Sequence, residues 1–197
     1  MKQIKRFTMT LLLAIGLGTA FSQTSSSANA GLYKDQHDFD QHRLSYQLNC
    51  NSRDNEIKIN NFIESPRLTV KMNDKKMVLL KKDYFGYHDC NGKDYRFHDN
   101  QLFEIIDTVF FYLYRHTALE PNAGGKGYST HTRYYFSKKG SNLLELLTQE
   151  NLEDAFAQND KFRYALQDYA RNNKGLMDYD PYLKSYKIKY LFAASLK

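Results

Sequence analysis

The stretch DYFGYHDCNGKDYRFHDN, residues 83–100, is the most informative part of the sequence for predicting the fold. It holds two histidines, four aspartates and a cysteine, a density that raises the question of an active site. Asn91-Gly92 stands between two runs rich in aromatic residues, and this pattern is a strong signal for a β-hairpin. We therefore interpret the stretch first as two antiparallel strands and a tight turn.

Two registers of this hairpin are open. A two-residue loop places Asp89 opposite Asp94, and like charges that face each other across a strand pair are unfavourable. A three-residue loop, residues 90–92 with Gly92 in the left-handed conformation, avoids this repulsion and lets Asp89 meet Lys93 beside the turn. We predict the three-residue loop. Its facing pairs are Phe85 with Phe97, Tyr87 with Tyr95, and His88 with Asp94.

The predicted register argues against a metal site in the stretch. His88 and His98 share one face but stand about four residue steps apart, roughly 13 Å at ~3.4 Å per residue. Two imidazoles that must both approach a metal within ~2.1 Å cannot do so from these positions.

Cys50 and Cys90 are the only cysteines. An even pair in an oxidising compartment is read first as a disulfide. Closing a loop of this length would stabilise the fold by ~4 kcal/mol on the chain-entropy model. A reactive thiol at Cys90, beside His88, is the alternative interpretation.

The N-terminus has the layout of a secretory signal peptide. Three basic residues among the first six precede the apolar run LLLAIGLG, residues 11–18, and small residues follow. Cleavage after Ser22 is the first choice and cleavage after Ala30 the alternative. The apolar run is shorter than the ~20 residues that span a bilayer, and no other segment approaches that length. We predict a periplasmic or extracellular mature chain without a transmembrane segment.

The charge of the chain gives no nucleic-acid footprint. Loss of residues 1–22 removes three basic residues and lowers the formal charge from +6 to +3. No run of five Lys or Arg residues occurs, so we predict no nucleic-acid partner. The run GGKGYST, residues 124–130, lacks the spacing of a phosphate-binding loop. We expect no cofactor.

We predict three segments: a signal peptide at 1–22, a flexible N-terminal segment at 23–47, and a single α+β domain at 48–197. The domain length suits one core. Short β-rich runs fill its first part, and a period of 3.6 residues follows Gly140. The predicted fold is an antiparallel β-meander of about five to seven strands, followed by two or three C-terminal helices packed on one face.

Local signals place these elements. RLTVKM and KMVLLK flank Asn73-Asp74, which predicts a hairpin. Thr148 is the predicted cap of a helix from Gln149 to about Gln158, and Asp160 that of a second helix. Asp180-Pro181 precedes YLKSYKIKYLF, which predicts a third helix, although IKYLF alone fits a strand.

The surplus of aromatic residues is the strongest functional signal. Sixteen Tyr and thirteen Phe occur without any Trp. We predict a non-enzymatic domain that binds a protein or glycan partner at the cell envelope through the polar-aromatic side of the sheet. The predicted binding residues are Tyr84, His88, Arg96 and His98.

Two other functions stay open. A small envelope hydrolase would use Ser129 and His131 in the loop at residues 118–131, although GYSTH misses the last position of the nucleophile elbow. A metal-binding protein would use HDFDQH, residues 37–42. The spacing of its two histidines puts them on one face of neither a helix nor a strand, so we predict no metal site.

Two blocks, DYFGYHDCNGKDYRFHDN with LFEII and YYFSKKGSNLLELLTQENLEDAFAQNDKFRYALQDY, resemble small exported proteins of unknown function from Bacteroidota. Gln23, after the predicted cleavage site, is similar to their signal peptides. The resemblance spans residues 67–192. It implies an exported location and no assigned activity, so it carries no functional residues to this chain.

Overall fold

The computed structural model describes residues 29–60, 64–122, 124–171 and 175–197. The predicted signal peptide and the start of the predicted flexible segment lie outside these residues. The strands are β1 (Asn29–Tyr33), β2 (Ser45–Asn49), β3 (Glu56–Lys58), β4 (Arg67–Met72), β5 (Lys75–Leu80), β6 (Gly86–His88), β7 (Asp94–His98), β8 (Gln101–Asp107), β9 (Phe111–Pro121), β10 (Tyr128–Lys138), β11 (Glu145–Leu146), β12 (Tyr179–Asp180) and β13 (Ser185–Tyr186). The helices are α1 (Gln36–Asp40), α2 (Gln149–Ala155), α3 (Asp160–Arg171) and α4 (Lys187–Ser195).

The main sheet has eight strands in the order β11-β10-β9-β8-β7-β6-β1-β2, and all neighbours are antiparallel. Strands β6 to β11 form a continuous meander, and β1 and β2 complete the other edge. A smaller sheet, β3-β4-β5, and the pair β12-β13 add five strands. The broad α+β prediction is confirmed, but the sheet is larger than the predicted five to seven strands.

The prediction of a flexible segment at 23–47 is wrong from residue 29 onward. β1 lies inside the main sheet, between β2 and β6, and Leu32 and Tyr33 are buried on its two faces. Because both faces of β1 are covered, its sequence shows no apolar-polar alternation. α1 follows at once, since the Asp35 side chain accepts a hydrogen bond from the Asp38 backbone and caps the helix.

The hairpin at residues 83–100 has the predicted three-residue loop. Gly92 has a φ of 76°, and Tyr87 and His88 pair with Tyr95 and Asp94. The rings of Tyr87 and Tyr95 stack with their centres 6.2 Å apart, as expected for a facing pair. The predicted contact between Asp89 and Lys93 beside the turn is also present, because the Asp89 backbone N–H donates to the Lys93 carbonyl.

The predicted side-chain pair of Phe85 and Phe97 does not form. Their backbones bond, with the Phe97 N–H donating to the Phe85 carbonyl at 2.9 Å. The rings belong to different clusters: Phe85 packs with Phe39 of α1, and Phe97 packs with Leu68 of the small sheet. The pairing of aromatic side chains ends at Gly86, because Phe85 lies on the face of the sheet opposite to Phe97.

The alternation of β9 divides the core between the two faces of the main sheet. Phe111 and Leu113 pack against α2, α3 and α4, and Tyr112 and Tyr114 pack on the side of α1. The small sheet covers Leu32 on the face opposite to Tyr33. Tyr112 and Tyr114 are therefore buried at the centre of the sheet.

The C-terminal helices agree with the prediction in order and differ at their ends. Thr148 caps α2, as predicted, by accepting from the Asn151 backbone. The cap of α3 is Asn159 and not Asp160, because the Asn159 side chain accepts from the Phe162 backbone at 3.0 Å. Asp180 does not start a helix. Its carboxylate holds a turn between β12 and β13, and α4 begins only at Lys187.

The predicted disulfide is present. Cys50, just after β2, is bonded to Cys90 at the tip of the hairpin, with Cα atoms 5.6 Å apart. The bond joins the outermost strand of the sheet to the β6–β7 turn. Neither cysteine is free, so the reactive-thiol alternative for Cys90 is wrong in this structure.

Candidate functional site

A cleft of about 360 Å³ opens where three segments of the main sheet meet a loop. Residues 34–36 follow β1, residues 82–85 precede β6, residues 96–98 belong to β7, and Asn142 precedes β11. We call it the Arg96 cleft. Its volume falls in the range of roughly 300–1,000 Å³ that is usual for small-molecule sites.

Arg96 forms the floor of the Arg96 cleft and is only 4% exposed. Its Nη1 donates to the Tyr114 hydroxyl at 3.0 Å and to Ser137 Oγ at 3.1 Å, and its Nη2 donates to the Asn142 carbonyl at 2.7 Å. All three acceptors are neutral. No carboxylate in the described residues forms an ion pair with Arg96. A buried charge without a counter-ion is costly, and such groups concentrate at functional sites.

Two aromatic rings lie close to the guanidinium. It stands 5.5 Å from the ring centre of Phe85 and 5.6 Å from that of Tyr114. Burial raises the pKa of Tyr114 although the Arg96 charge acts in the opposite direction, so the hydroxyl stays neutral. Arg96 Nε has no hydrogen-bond partner in the described part of the chain. Every fully buried side-chain nitrogen of that part has a partner, so Nε is not fully buried.

Two lysines stand at the mouth of the Arg96 cleft. Lys34 Nζ donates to the Asp83 carbonyl at 2.8 Å and lies 4.7 Å from the ring centre of Tyr84. Lys82 is exposed, and its ammonium forms no ion pair within the described residues. Like Arg96, both lysines have no carboxylate partner among the residues that the structure describes.

The acids of the Arg96 cleft do not balance these cations. One oxygen of Asp35 is committed to capping α1, and Asp83 is exposed beside Tyr84. Three cations against two carboxylates leave the lining with a formal charge of +1. The arrangement is suited to an acidic group that enters from solvent.

Tyr84 and His98, both predicted binding residues, line the same cleft. Tyr84 packs against Tyr46 at 6.2 Å between ring centres, and burial and a hydrogen bond to Tyr46 raise its pKa to about 12. His98 lies 3.5 Å from Asp99 and contacts the edge of Phe103. The structure therefore places three of the four predicted binding residues together.

His88, the fourth, lies outside the lining of the Arg96 cleft. Its Nδ1 is 2.6 Å from an oxygen of Asp94, which also accepts a hydrogen bond from the Tyr33 hydroxyl at 2.8 Å. Burial and the bond to Asp94 raise the pKa of Tyr33. These contacts join β1, β6 and β7, so His88 belongs to the architecture of the sheet.

Ser129 and His131, the alternative catalytic residues, touch each other. Ser129 Oγ and His131 Nε2 are 2.7 Å apart on β10. Most of the predicted loop at 118–131 is strand, since β9 extends to Pro121 and β10 begins at Tyr128. The nearest acid in register, Glu120, is bonded to Arg133. The pair lies on a two-stranded arm with His131 exposed.

The histidines of residues 37–42 are not arranged as ligands. Residues 36–40 form α1, in which the Phe39 side chain is buried. His42 follows the helix with a φ of 51°. Within the described ranges, no group of three or more His, Cys, Asp or Glu side chains is placed to hold a metal ion.

Sequence reasoning missed Lys34, Lys82 and Asn142. Lys34 falls in the segment that was predicted to be flexible, and Asn142 in a loop without periodicity. One signal was present: the apolar run 30–33 followed by Asp35 has the order of a short buried strand and a helix cap. The convergence of these residues depends on strand order, which no local pattern shows.

Neither a family model, nor a curated protein, nor a solved structure matches the chain. None of the helices in the described residues is long and apolar enough to cross a membrane.

Proposed function

We propose that the protein is an exported, non-enzymatic domain that binds a protein or glycan partner at the cell envelope through the Arg96 cleft. One observation carries the proposal: a buried guanidinium, held by neutral groups, lines a cleft that is open to solvent. An arginine without a counter-ion destabilises the free protein and is suited to a ligand that completes it.

The exported location has separate support. The disulfide between Cys50 and Cys90 persists in an oxidising compartment. The sequence at residues 1–22 has the order of a signal peptide, and the resemblance to exported proteins from Bacteroidota agrees with it. Ala30 is buried in β1 opposite Leu48. Cleavage after Ser22 keeps this strand whole, whereas cleavage after Ala30 would cut it.

The composition of the Arg96 cleft favours binding over catalysis. None of its described lining residues is a Ser, Thr or Cys that a neighbouring base would activate. Its cations are placed for recognition: Arg96 is buried and held by three hydrogen bonds, and Lys34 and Lys82 are exposed. A buried, fixed cation together with exposed cations is an arrangement suited to ligand binding.

Co-sedimentation with isolated cell envelopes tests the proposal. Protein made from the full-length gene is purified after processing and incubated with the envelope fraction. Lys82→Glu reverses a charge at the mouth of the Arg96 cleft, and Lys126→Glu makes the same change on the distant hairpin loop. We expect Lys82→Glu to lose most of the retained protein and Lys126→Glu to behave as wild type. Equal retention of all three proteins would contradict the proposal.

The 2.7 Å contact between Ser129 and His131 supports the second candidate, a small envelope hydrolase. That function requires turnover of an ester, amide or glycan substrate that disappears in His131→Ala with an unchanged melting curve. Under the main proposal, wild type and His131→Ala show the same background rate.

A further inference from the structure

We infer that the ligand of the Arg96 cleft is a sugar that carries a carboxylate, bound by Arg96 on the floor and Lys34 at the mouth. The inference rests on the proposed function and specifies its ligand.

The charge of the lining selects a monoanion. Three cations and two carboxylates leave a single positive charge, which one carboxylate neutralises. A phosphate dianion would leave an excess of negative charge in a partly desolvated site. An arginine beside a carboxylate forms charge-assisted hydrogen bonds, which are shorter and stronger than bonds to neutral acceptors.

The two cations are free to make these bonds. Arg96 lines the cleft, and its Nε has no hydrogen-bond partner in the described residues and is not fully buried. Within the described residues Lys34 contacts the Asp83 carbonyl and the Tyr84 ring, so its exposed side chain can exchange a neutral acceptor for a charged one. The Arg96 position is fixed in advance, which lowers the entropy lost on binding.

The walls suit a sugar better than a peptide terminus. Asp83, Gln36 and the Asn142 amide supply acceptors and donors for ring hydroxyl groups beside the aromatic walls. A bound peptide commonly adds its backbone to a free strand edge. Both strands at this site are already paired on both sides: β1 by β2 and β6, β7 by β6 and β8.

Calorimetric titration of the full-length gene product tests the inference. The probes are D-glucuronate, D-galacturonate and N-acetylneuraminate. D-glucuronamide and D-glucose are the matched neutral probes. Inorganic phosphate, and one short peptide with a free or an amidated C-terminus, complete the set. The variants are Lys34→Gln, Arg96→Gln and, as the control, Lys126→Gln, which removes an exposed lysine outside the cleft.

At least one of the acidic sugars is expected to bind, and its neutral analogue to bind at least about tenfold more weakly, as expected for loss of one charge-assisted hydrogen bond. Lys34→Gln should weaken binding by about tenfold and Arg96→Gln by more, while Lys126→Gln leaves it unchanged. Because Lys34 is exposed, its variant keeps the test valid if Arg96→Gln fails to fold.

Three results would overturn the inference: equal binding of glucuronate and glucuronamide, tighter binding of phosphate or of the free C-terminus than of any acidic sugar, or no binding of any acidic sugar. In each case the envelope assay with Lys82→Glu still decides the proposed function. Dependence on Lys82 would keep the Arg96 cleft as the binding site with another ligand, and independence would remove both.

Discussion

Arg96 on β7 reaches across β8 to Tyr114 on β9, where its Nη1 donates to the tyrosine hydroxyl at 3.0 Å. The same hydroxyl is 2.9 Å from Ser137 Oγ on β10, which is a second acceptor of Arg96. Three strands, β7, β9 and β10, thus contribute one residue each to a single polar group within the aromatic face. The buried hydroxyls of Tyr114 and Ser137, together with the carbonyl of Asn142 in the loop before β11, position the cation of the cleft.

Tyr114→Phe should destabilise the protein by about 1–3 kcal/mol, because it removes a buried acceptor of a charged donor. The measurement is the free energy of unfolding in urea. Tyr128→Phe is the matched control, since Tyr128 is 72% exposed and its change should stay within about 0.5 kcal/mol. Equal stability of Tyr114→Phe and wild type would show that Arg96 does not depend on this hydroxyl.

Gly86→Ala should disrupt the β6–β7 pair. A Cβ at this position would lie 2.0 Å from the Tyr95 carbonyl oxygen, so the two strands must separate. We expect a loss of about 3 kcal/mol or more in unfolding free energy, the upper end of the usual effect of overpacking. Gly124→Ala, where the new Cβ meets nothing within 4 Å, is the control. A normal melting temperature for Gly86→Ala would contradict the close approach.

Reduction of the disulfide should lower stability by about 4 kcal/mol on the chain-entropy model for cysteines 40 residues apart. The measurement is urea unfolding with and without dithiothreitol. Cys50→Ala/Cys90→Ala should match the reduced wild type and should not respond to the reductant. A reductant effect on the double variant, or none on wild type, would exclude the disulfide as the cause.

Lys189 should make stability depend on pH. The residue is 1% exposed, and its ammonium contacts Asp107 at 3.1 Å and the carbonyls of Val109 and Phe111. Burial lowers its pKa from 10.5 to about 8. Between these values the unfolded chain binds more protons than the folded chain, so the contribution of Lys189 to stability rises with pH and is lost as pH falls through about 8.

The test compares the unfolding free energy of wild type and Lys189→Met at pH 7 and pH 9.5. The difference between the two should shift in favour of wild type by about 1–2 kcal/mol over this interval. Taking the difference cancels the tyrosines that titrate nearby. A constant difference would mean that the folded-state pKa of Lys189 is not lowered.

The sequence predicted those parts of the fold that local chemistry specifies. Asn91-Gly92 and the charges around it select one register, and Asn73-Asp74 forms its hairpin with a positive φ at both residues. Thr148 caps its helix as expected. In each case, the determining atoms lie within a few residues of one another, so a short pattern contains the needed information.

The remaining parts depend on contacts between distant segments. The sequence of β1 resembles a flexible segment because a strand that is buried on both faces shows no apolar-polar alternation. Its partner β6 lies more than fifty residues away, so no local pattern indicates the pairing. For the same reason the candidate site was predicted only in part. Arg96 and His98 stand on one strand, but Lys34 joins them only through strand order, and Asn142 through a loop.

Hydrogen exchange with mass spectrometry, in the presence and absence of the isolated envelope fraction, tests whether the Arg96 cleft is the binding surface. We expect slower amide exchange in peptides that cover residues 34–36 and 82–85, with no change on the arm at residues 117–133. Protection confined to the arm, or to the exposed turn at residues 179–186, would place the binding surface elsewhere and contradict the assignment of the Arg96 cleft.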